Sequence, residues 1–419
     1  MDRGGASACL LAPPLPAATP TEPDRADRTF RAMSARPLNS APKRSPATAH
    51  SGGPRDAVAP NRARTRPATL ADVARAAGTS AMTVSMVLNN ARTTSRVSTR
   101  TRNRILAAAA KLQYRPNLAA RSLANRRIHT LGVAAIVEGG ELNHYFLEIF
   151  NGIIASATLH RQNTTVFGLH DWERDSVRLR DLCDGRIDGM ILLAPTFGRE
   201  AAPNLPAYVP FVSIHANHLF PSVVNIESAE EDGAYALVRH LIAHGHRRIM
   251  HLTGPAGLVG PERRIRGYRR ALTDAGLPFE PRYLVPAGFT TELGRTAMRG
   301  WLARHAGDPL PQAVFGANDA VAVGCIEAFG EAGLRVPDDV SVAGFDDTLA
   351  ARSVVPQLTS VRQPLRAMGA KAVELLLARI DHPAGASDSV PEPIVFPVDL
   401  ARRASVGAPA KVQRLVPSR

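Results

Sequence analysis

The stretch Thr69–Asn89, TLADVARAAGTSAMTVSMVLN, reads as two short helices joined by a tight turn. Thr69 can cap the first helix, with Asp72 three residues on to reach back, a variant of the capping box. Leu70, Val73, Ala74 and Ala77 recur at helical spacing and make one apolar face. Gly78 supplies the left-handed conformation that ends a helix at low cost. Ser80 is placed to cap the second helix, whose buried stripe is Val84, Val87 and Leu88. Ala74 and Ala77 are small enough for two helices to approach closely. This spacing fits a helix-turn-helix, whose second helix enters a DNA major groove. It also fits an ordinary helical hairpin in a core, so the surroundings have to decide.

Charge decides part of it. The 419-residue chain carries a formal +14, placed unevenly. Residues 1–66 hold 11 basic and 5 acidic side chains, and residues 67–127 hold 11 basic ones against Asp72 alone. The other 292 residues are therefore near −2, so one end of a roughly neutral body faces a polyanion. An apolar share of 45% is ample for two or three globular units. Cys9, Cys183 and Cys325 are far apart and odd in number, which gives no disulfide or metal framework and suits a reducing cytosol. No apolar run approaches membrane-spanning length. Residues 1–66, rich in Pro, Ala, Arg and Ser, are expected to be a disordered tail. Their ACLLAPPLPAA is broken by prolines and does not make a secretory apolar core.

After a loop from Asn90 to Arg96, Ser98 caps a third helix running to about Leu112, with Ile105, Ala109 and Leu112 inward. Arg100, Arg102, Arg104 and Lys111 lie elsewhere on it, available to phosphates. Pro116–Ala124, PNLAARSLA, is too short to be a stable isolated helix. From Leu131 apolar strands alternate with amphipathic helices: LGVAAIV, a helix over 146–161, TTVFGL, a helix to Cys183, GMILLAP and PFVSIH. A helix over 233–244 follows, then IMHLTG, a helix from Glu262, PQAVFGA, a helix from Asp319 and VSVAGF. This is the βαβ rhythm of parallel sheets.

With these residues in hand, the chain resembles the lac-repressor (LacI/GalR) family of bacterial transcription regulators, from residue 69 to about 404. The family pattern T-L-x-D-V-A-x-x-A-G-V-S-x-x-T-V-S-R-V-L-N is met at all but two specified positions, Thr79 for Val and Met86 for Arg. The loop after Asn89 is about three residues longer than the family's usual one. PNLAARSLA resembles the family hinge helix, whose leucine, here Leu123, wedges into the minor groove and kinks the duplex. The implied fold is α/β: an N-terminal helix-turn-helix headpiece plus a two-lobed, periplasmic-binding-protein-like effector domain with parallel sheets. The implied division is a tail (1–66), the DNA-binding domain (67–115), hinge helix and linker (116–128), effector-binding and dimerisation lobes (129–404) and a flexible tail (405–419). SVRQPLRAMGAKAVELLLARI is expected to cross back to the first lobe and IVFPVDL to return to the second. The implied DNA contacts are Thr69, Ser80, Ala81, Met82, Thr83, Ser85, Met86, Asn89, Ser98, Thr101, Asn117, Arg121 and Leu123. The implied effector contacts are Phe146 (in NHYF), His215, Arg264 (in RIRGY), Phe289, Asn318 and Asp346. Several of these follow strand ends, where open α/β lobes bind ligands.

Features that could suggest other chemistry do not assemble. His240, His244, His246 and His251 straddle a helix end and a strand, so no metal is expected. Asp346 and Asp347 are adjacent and point opposite ways in extended chain. No P-loop, dinucleotide fingerprint or nucleophile elbow is present, so neither a cofactor nor an enzyme is expected. The expectation is a cytoplasmic, nucleoid-associated, homodimeric repressor whose partners are double-stranded operator DNA and a small-molecule effector, with no membrane. The effector is expected to be a sugar or sugar derivative. A purine or other polar metabolite stays open as the alternative, as does a solute-binding protein, which would have no use for residues 67–127. ASVGAPAKVQRLVPSR has no leucine heptads from which a tetramer bundle could form.

Overall fold

The computed structural model describes residues 66–89, 97–115, 127–137, 143–382 and 389–410. The loop 90–96, the expected hinge helix with Asn117, Arg121 and Leu123, and residues 1–65 and 411–419 lie outside them.

The headpiece is three helices, α1 (Leu70–Ala77), α2 (Ala81–Leu88) and α3 (Thr99–Lys111). Its caps are local and reciprocal. The Asp72 amide donates to Thr69 Oγ1 at 3.3 Å while the Thr69 amide donates to Asp72 Oδ2 at 3.0 Å. Gly78 closes α1 at φ 58°, ψ 46°. The Thr83 amide donates to Ser80 Oγ and the Thr101 amide to Ser98 Oγ, so α2 and α3 each begin on a serine. Val73, Val84 and Ile105 are completely buried where the helices meet, with Ala74, Ala77, Val87, Ala108 and Ala109 around them. Leu112 packs at the margin of this cluster.

The rest of the described chain forms two lobes. The first sheet holds β1 (Thr130–Ile136), β2 (Asn163–Leu169), β3 (Gly189–Leu193), β4 (Phe211–Ile214), β5 (Val224–Ser228) and β11 (Ile394–Phe396). The second holds β6 (Ile249–Thr253), β7 (Leu284–Pro286), β8 (Ala313–Gly316), β9 (Ser341–Asp346), β10 (Thr359–Arg362) and β12 (Asp399–Ala401). The orders are β2-β1-β3-β4-β5-β11 and β7-β6-β8-β9-β10-β12, and only β10–β12 is antiparallel. Each lobe is thus a doubly wound sheet of one order with a sixth strand added late in the chain. Long helices cover them: α4 (His144–Leu159), α5 (Glu230–Ala243), α6 (Val259–Asp274), α7 (Thr291–Arg304), α8 (Asp319–Glu331) and α9 (Leu365–Asp381).

Three crossings join the lobes, after β5, after β10 and between β11 and β12. The expected crossing segment divides. TSVR stays in the second sheet as β10, and α9 then packs on α4 of the first lobe. IVFPVDL divides too: Ile394–Phe396 joins the first sheet and only Asp399–Ala401 returns to the second. The boundary at 404 is corrected as well. Ser405 is fully buried, donates to the Val342 carbonyl at 2.6 Å and accepts from the Thr359 amide at 2.8 Å, so the second lobe continues past it. The helix expected up to Cys183 is instead two short helices, Trp172–Asp175 and Leu179–Leu182, joined by a 3-10 turn. Asp175 accepts from the His170 amide at 2.8 Å, which turns the chain back there.

Helix pairs touch through glycine. A Cβ on Gly152 of α4 would lie 2.0 Å from the Arg366 carbonyl oxygen of α9, and one on Gly369 of α9 would lie 2.3 Å from that of Ile149. The obstacle is backbone, which cannot rotate away. Gly152→Ala is therefore expected to destabilise the first lobe by about 1–3 kcal/mol, lowering its calorimetric midpoint by several degrees. Gly330→Ala in α8, where a Cβ meets nothing within 4 Å, is the neutral control.

Candidate functional site

The two sheets face each other across a cleft at the carboxyl ends of their strands, and polar side chains collect there. His215 follows β4, Ser228 ends β5, Asn318 follows β8, Asp346 ends β9 and Gln363 follows β10. His215 and Asp346 have positive φ, 52° and 108°, a conformation that non-glycine residues hold only under surrounding constraint.

These groups form one relay from lobe to lobe. Tyr145, in the first turn of α4, bonds His215 Nδ1 through its hydroxyl. The Ser228 amide donates to His215 Nε2 at 3.2 Å, which assigns that nitrogen as acceptor and Nδ1 as the protonated one. Ser228 Oγ donates to Gln363 Oε1 at 2.5 Å, and Gln363 Nε2 donates to Asp346 Oδ1 at 2.6 Å. Asp346 lies 4.0 Å from Arg264, whose Nη2 donates to Glu230 Oε1 at 2.7 Å and whose Nη1 donates to the Ala317 carbonyl. The Arg264 guanidinium also lies 4.0 Å from the centre of the Phe345 ring. Beside it Arg263 spans both oxygens of Glu227, at 3.0 and 2.9 Å.

Burial governs the charges. It pushes the Asp346 carboxyl up to about 6, against the pull of Arg264. Burial and then the Asp346 charge push Asp319 up to about 8, although Thr348 and Ser360 donate to it. Burial also opposes charge on Glu230, but the Arg264 guanidinium outweighs it and holds that carboxyl below its usual range. His215 is held neutral by burial. Asp347, just past the end of β9, also has a positive φ, 55°. Its carboxylate takes Arg362 at 2.7 Å and Arg403 at 2.5 Å within the second lobe.

Both rims of the cleft are latched. On one side the Val259 amide of the second lobe donates to Asn217 Oδ1 of the first at 2.7 Å. On the other, Arg352 of the second lobe reaches Glu148 of α4 at 3.2 Å, and Arg366 holds the second oxygen of that carboxylate at 2.5 Å. A cavity of about 370 Å³ remains beside Asp346, Gln363 and Arg352. Of the six effector residues expected from the sequence, only Asp346 lines it.

The other five are placed as follows. Arg264 is at the centre of the relay and 6% exposed. His215 is one bond away from the lobe junction. Asn318 Oδ1 caps α8 through the Val321 amide, and its Nδ2 donates to the Phe289 carbonyl, so both ends of this amide are engaged. The Phe289 ring lies against Gly254 at the end of β6, where any Cβ would come within 2.7 Å of it. Phe146 packs into the first lobe's core, with its ring edge-on to Tyr145 at 5.2 Å. Tyr145, not its neighbour, is the aromatic that reaches the relay. Ser228, Glu230 and Gln363 were also missed. Tyr145 lies inside the NHYF motif, while the other three carry no local signature.

In the headpiece, Ala81 and Met82 at the start of α2 are exposed, Met82 at 74%. Ser85 accepts from Asn89 Nδ2 at 3.1 Å, and Ser85 and Met86 are half-buried on the same helix. Thr69, Ser80 and Ser98, each a helix cap, are exposed, whereas Thr83 and Thr101 are half-buried. Arg100, Arg102, Arg104 and Lys111 are all exposed on α3. Two of the four histidines have partners elsewhere, His246 the Gly407 carbonyl and His251 the Phe315 carbonyl, while His240 and His244 meet one turn apart on α5 and its cap. Among the described residues no group of three or more His, Cys, Asp or Glu could hold a metal. No described helix is long and apolar enough to cross a membrane.

Comparison with known proteins bears on both parts. Residues 69–117 match the model of bacterial regulatory proteins of the lacI family, and residues 238–406 match a periplasmic binding protein-like domain. The HTH-type transcriptional repressor PurR of Aliivibrio fischeri is 32% identical over 333 residues, 78% of this chain and 96% of that protein. Catabolite control protein A of Priestia megaterium is 33% identical over 315 residues, 74% of this chain and 91% of that protein. Among solved structures, the Lac repressor dimer bound to operator and the anti-inducer ONPF superimposes with a TM-score of 0.70 at 30% identity, over 82% of this chain and all of that one. The transcriptional regulator CelR in complex with cellobiose gives 0.59 at 29% identity, over 81% and 99%.

Proposed function

The chain belongs to the lacI family of bacterial regulatory proteins, and from that premise we propose how its two parts work together. It is a DNA-binding transcription regulator, and its relatives above are regulators, not enzymes. We read it as a repressor that acts as a two-fold dimer beside the DNA in the cytoplasm. The headpiece sets α2 in the major groove, with Ala81, Met82 and Met86 towards the bases and the basic face of α3 on the phosphates. To residues 116–128, which lie outside the described ones except for 127 and 128, we assign the family's hinge and linker part, with Leu123 as the wedge.

The observation that carries the switch is the relay from Tyr145 to Glu230. It runs from Tyr145 in the first lobe through Ser228 and Gln363, at two of the crossings, to Asp346 in the second, and the rim bonds Asn217–Val259 and Glu148–Arg352 span the cleft beside it. A ligand entering there has to replace some of them, and therefore has different affinities for the open and closed lobes, as any switch requires. The donors and acceptors, with Phe289 at the margin, suit a hydroxyl-rich compound, and we assign a carbohydrate effector. The cellobiose held by CelR supports that reading.

The test is a thermal-shift screen of sugars on the full chain, repeated with Asp346→Ala. A sugar that stabilises the parent by several degrees and loses most of that effect in the variant is the expected result. Hits confined to non-sugar metabolites would overturn the ligand class. Hits indifferent to Asp346 would overturn the site.

A further inference from the structure

Arg264 is the one guanidinium deep in the cleft, and it is not waiting for a ligand's negative charge. Glu230 already supplies one, at 2.7 Å, from the first residue of α5. Glu230 is 3% exposed, so it acts as a fixed part of the site rather than a passing surface ion. The surrounding charge is weighted the same way. Glu227, Glu230 and Asp346 are all at least nine-tenths buried, against the guanidiniums of Arg263 and Arg264, while Asp319, pushed up to about 8, adds no charge. His215 adds no positive charge, because burial keeps it neutral. A further anion would enter a dry space that already holds excess negative charge, where like charges repel strongly. Two of its polar groups are left with bonds to make: the Arg264 Nε is a buried donor without a partner, and Asp346 takes a single side-chain bond, from Gln363 Nε2.

We propose that Glu230 sets the charge of the effector: as a built-in counter-ion on Arg264 it makes the cleft accept neutral or amine-bearing polyhydroxyl compounds and reject phosphorylated or carboxylated ones. This deepens the carbohydrate reading and rests on it. The ligand's hydroxyl or ammonium groups donate to Asp346 and Glu230, and Arg264 donates to ring or hydroxyl oxygens without giving up its partner. A sugar phosphate binds at least about 100-fold more weakly than its uncharged parent. Removing the Glu230 charge reverses this preference, because Arg264 is then free for an anion.

The experiment has two arms, both on the full chain. In the first, inorganic phosphate is the probe, compared with chloride at equal ionic strength, on the parent, Arg264→Met, Glu230→Gln and the double variant. The proposal expects no phosphate stabilisation of the parent that depends on Arg264. It expects a clear stabilisation of Glu230→Gln that the double variant lacks. A shift that persists in Arg264→Met is repeated with Arg352→Met and Arg366→Met, since both arginines line the cavity: one that survives all three lies outside the cleft, as proposed, and one that either abolishes overturns the proposal. A parent shift that Arg264→Met abolishes overturns the proposal, and so does a folded Glu230→Gln that gains nothing.

In the second arm, which holds even where Glu230→Gln fails to fold, matched sets are screened on the parent: sugars, their amino derivatives, their phosphates and their acids. Any phosphate or acid that binds more tightly than its uncharged parent overturns the charge rule. Neutral nucleobases, added as a fifth set, separate the two claims. If they bind and sugars do not, the carbohydrate reading fails while the charge rule stands.

Discussion

Arg264→Met lowers the stability of the effector lobes by about 3–5 kcal/mol, the usual result of removing one partner from a buried ion pair. The reason is what stays behind. Glu230 is left in the closed cleft, 3% exposed, with Arg263 at 3.9 Å as its nearest cation. Asp346 loses a guanidinium 4.0 Å away as well. The loss therefore measures a stranded charge rather than the value of the bond. Arg264→Met/Glu230→Met removes both charges and should recover most of the loss, since apolar replacements of a buried pair are often neutral or stabilising. Arg266→Met, on the same helix as Arg264, breaks the pair with Glu231 of α5; this arginine side chain is 56% exposed, and stability should change by less than about 1 kcal/mol. Urea denaturation of the parent, these three variants and the single Glu230→Met checks this. A double variant as unstable as the sum of the singles would mean that the pair is not coupled.

Met86→Arg is expected to change which operator the protein prefers, and not merely to tighten binding. Met86 lies on α2, one turn beyond the exposed Met82. A methionine there offers apolar contact to a thymine methyl but no bidentate bond. Arginine offers two donors to the O6 and N7 of guanine, worth about 1–3 kcal/mol of discrimination at that base pair. Selection of binding sites from random DNA by parent and variant is the check. The consensus should move towards guanine at one position per half-site, and an unchanged consensus would place Met86 away from the bases.

The parts legible in the sequence are those whose causes are local. A cap and its partner three residues away, as at Thr69/Asp72, Ser80/Thr83 and Ser98/Thr101, are written side by side in the chain and fold that way. The same holds for strands with continuous apolar runs such as GMILL, every residue of which is buried. β5 and β7 escaped for different reasons: VNIES has no continuous apolar run and ends in polar residues that serve the cleft, and LVP has three residues. The site was half legible. Arg264 and Asp346 stand in recognisable surroundings, and they do meet, but Glu230 and Gln363 join them from 34 and 17 residues away. No local pattern marks such partners. Adjacent residues on α4 point in different directions, so that Tyr145 faces His215 while Phe146 packs on the core, a distinction that the motif NHYF does not carry.

The central claim is that a sequence-specific DNA-binding protein is controlled from the cleft between its lobes. It is tested most directly by titrating the full chain onto a palindromic site from upstream of its own gene and onto a scrambled duplex, across a range of salt, with and without the sugar that stabilises it. The palindrome should bind at least about a thousandfold more tightly than the scrambled duplex, and both affinities should fall as salt rises. The sugar should change the first affinity, leave the second nearly alone, and have no effect on Asp346→Ala. Equal affinity for the two duplexes, or a sugar effect that survives in Asp346→Ala, would contradict the account.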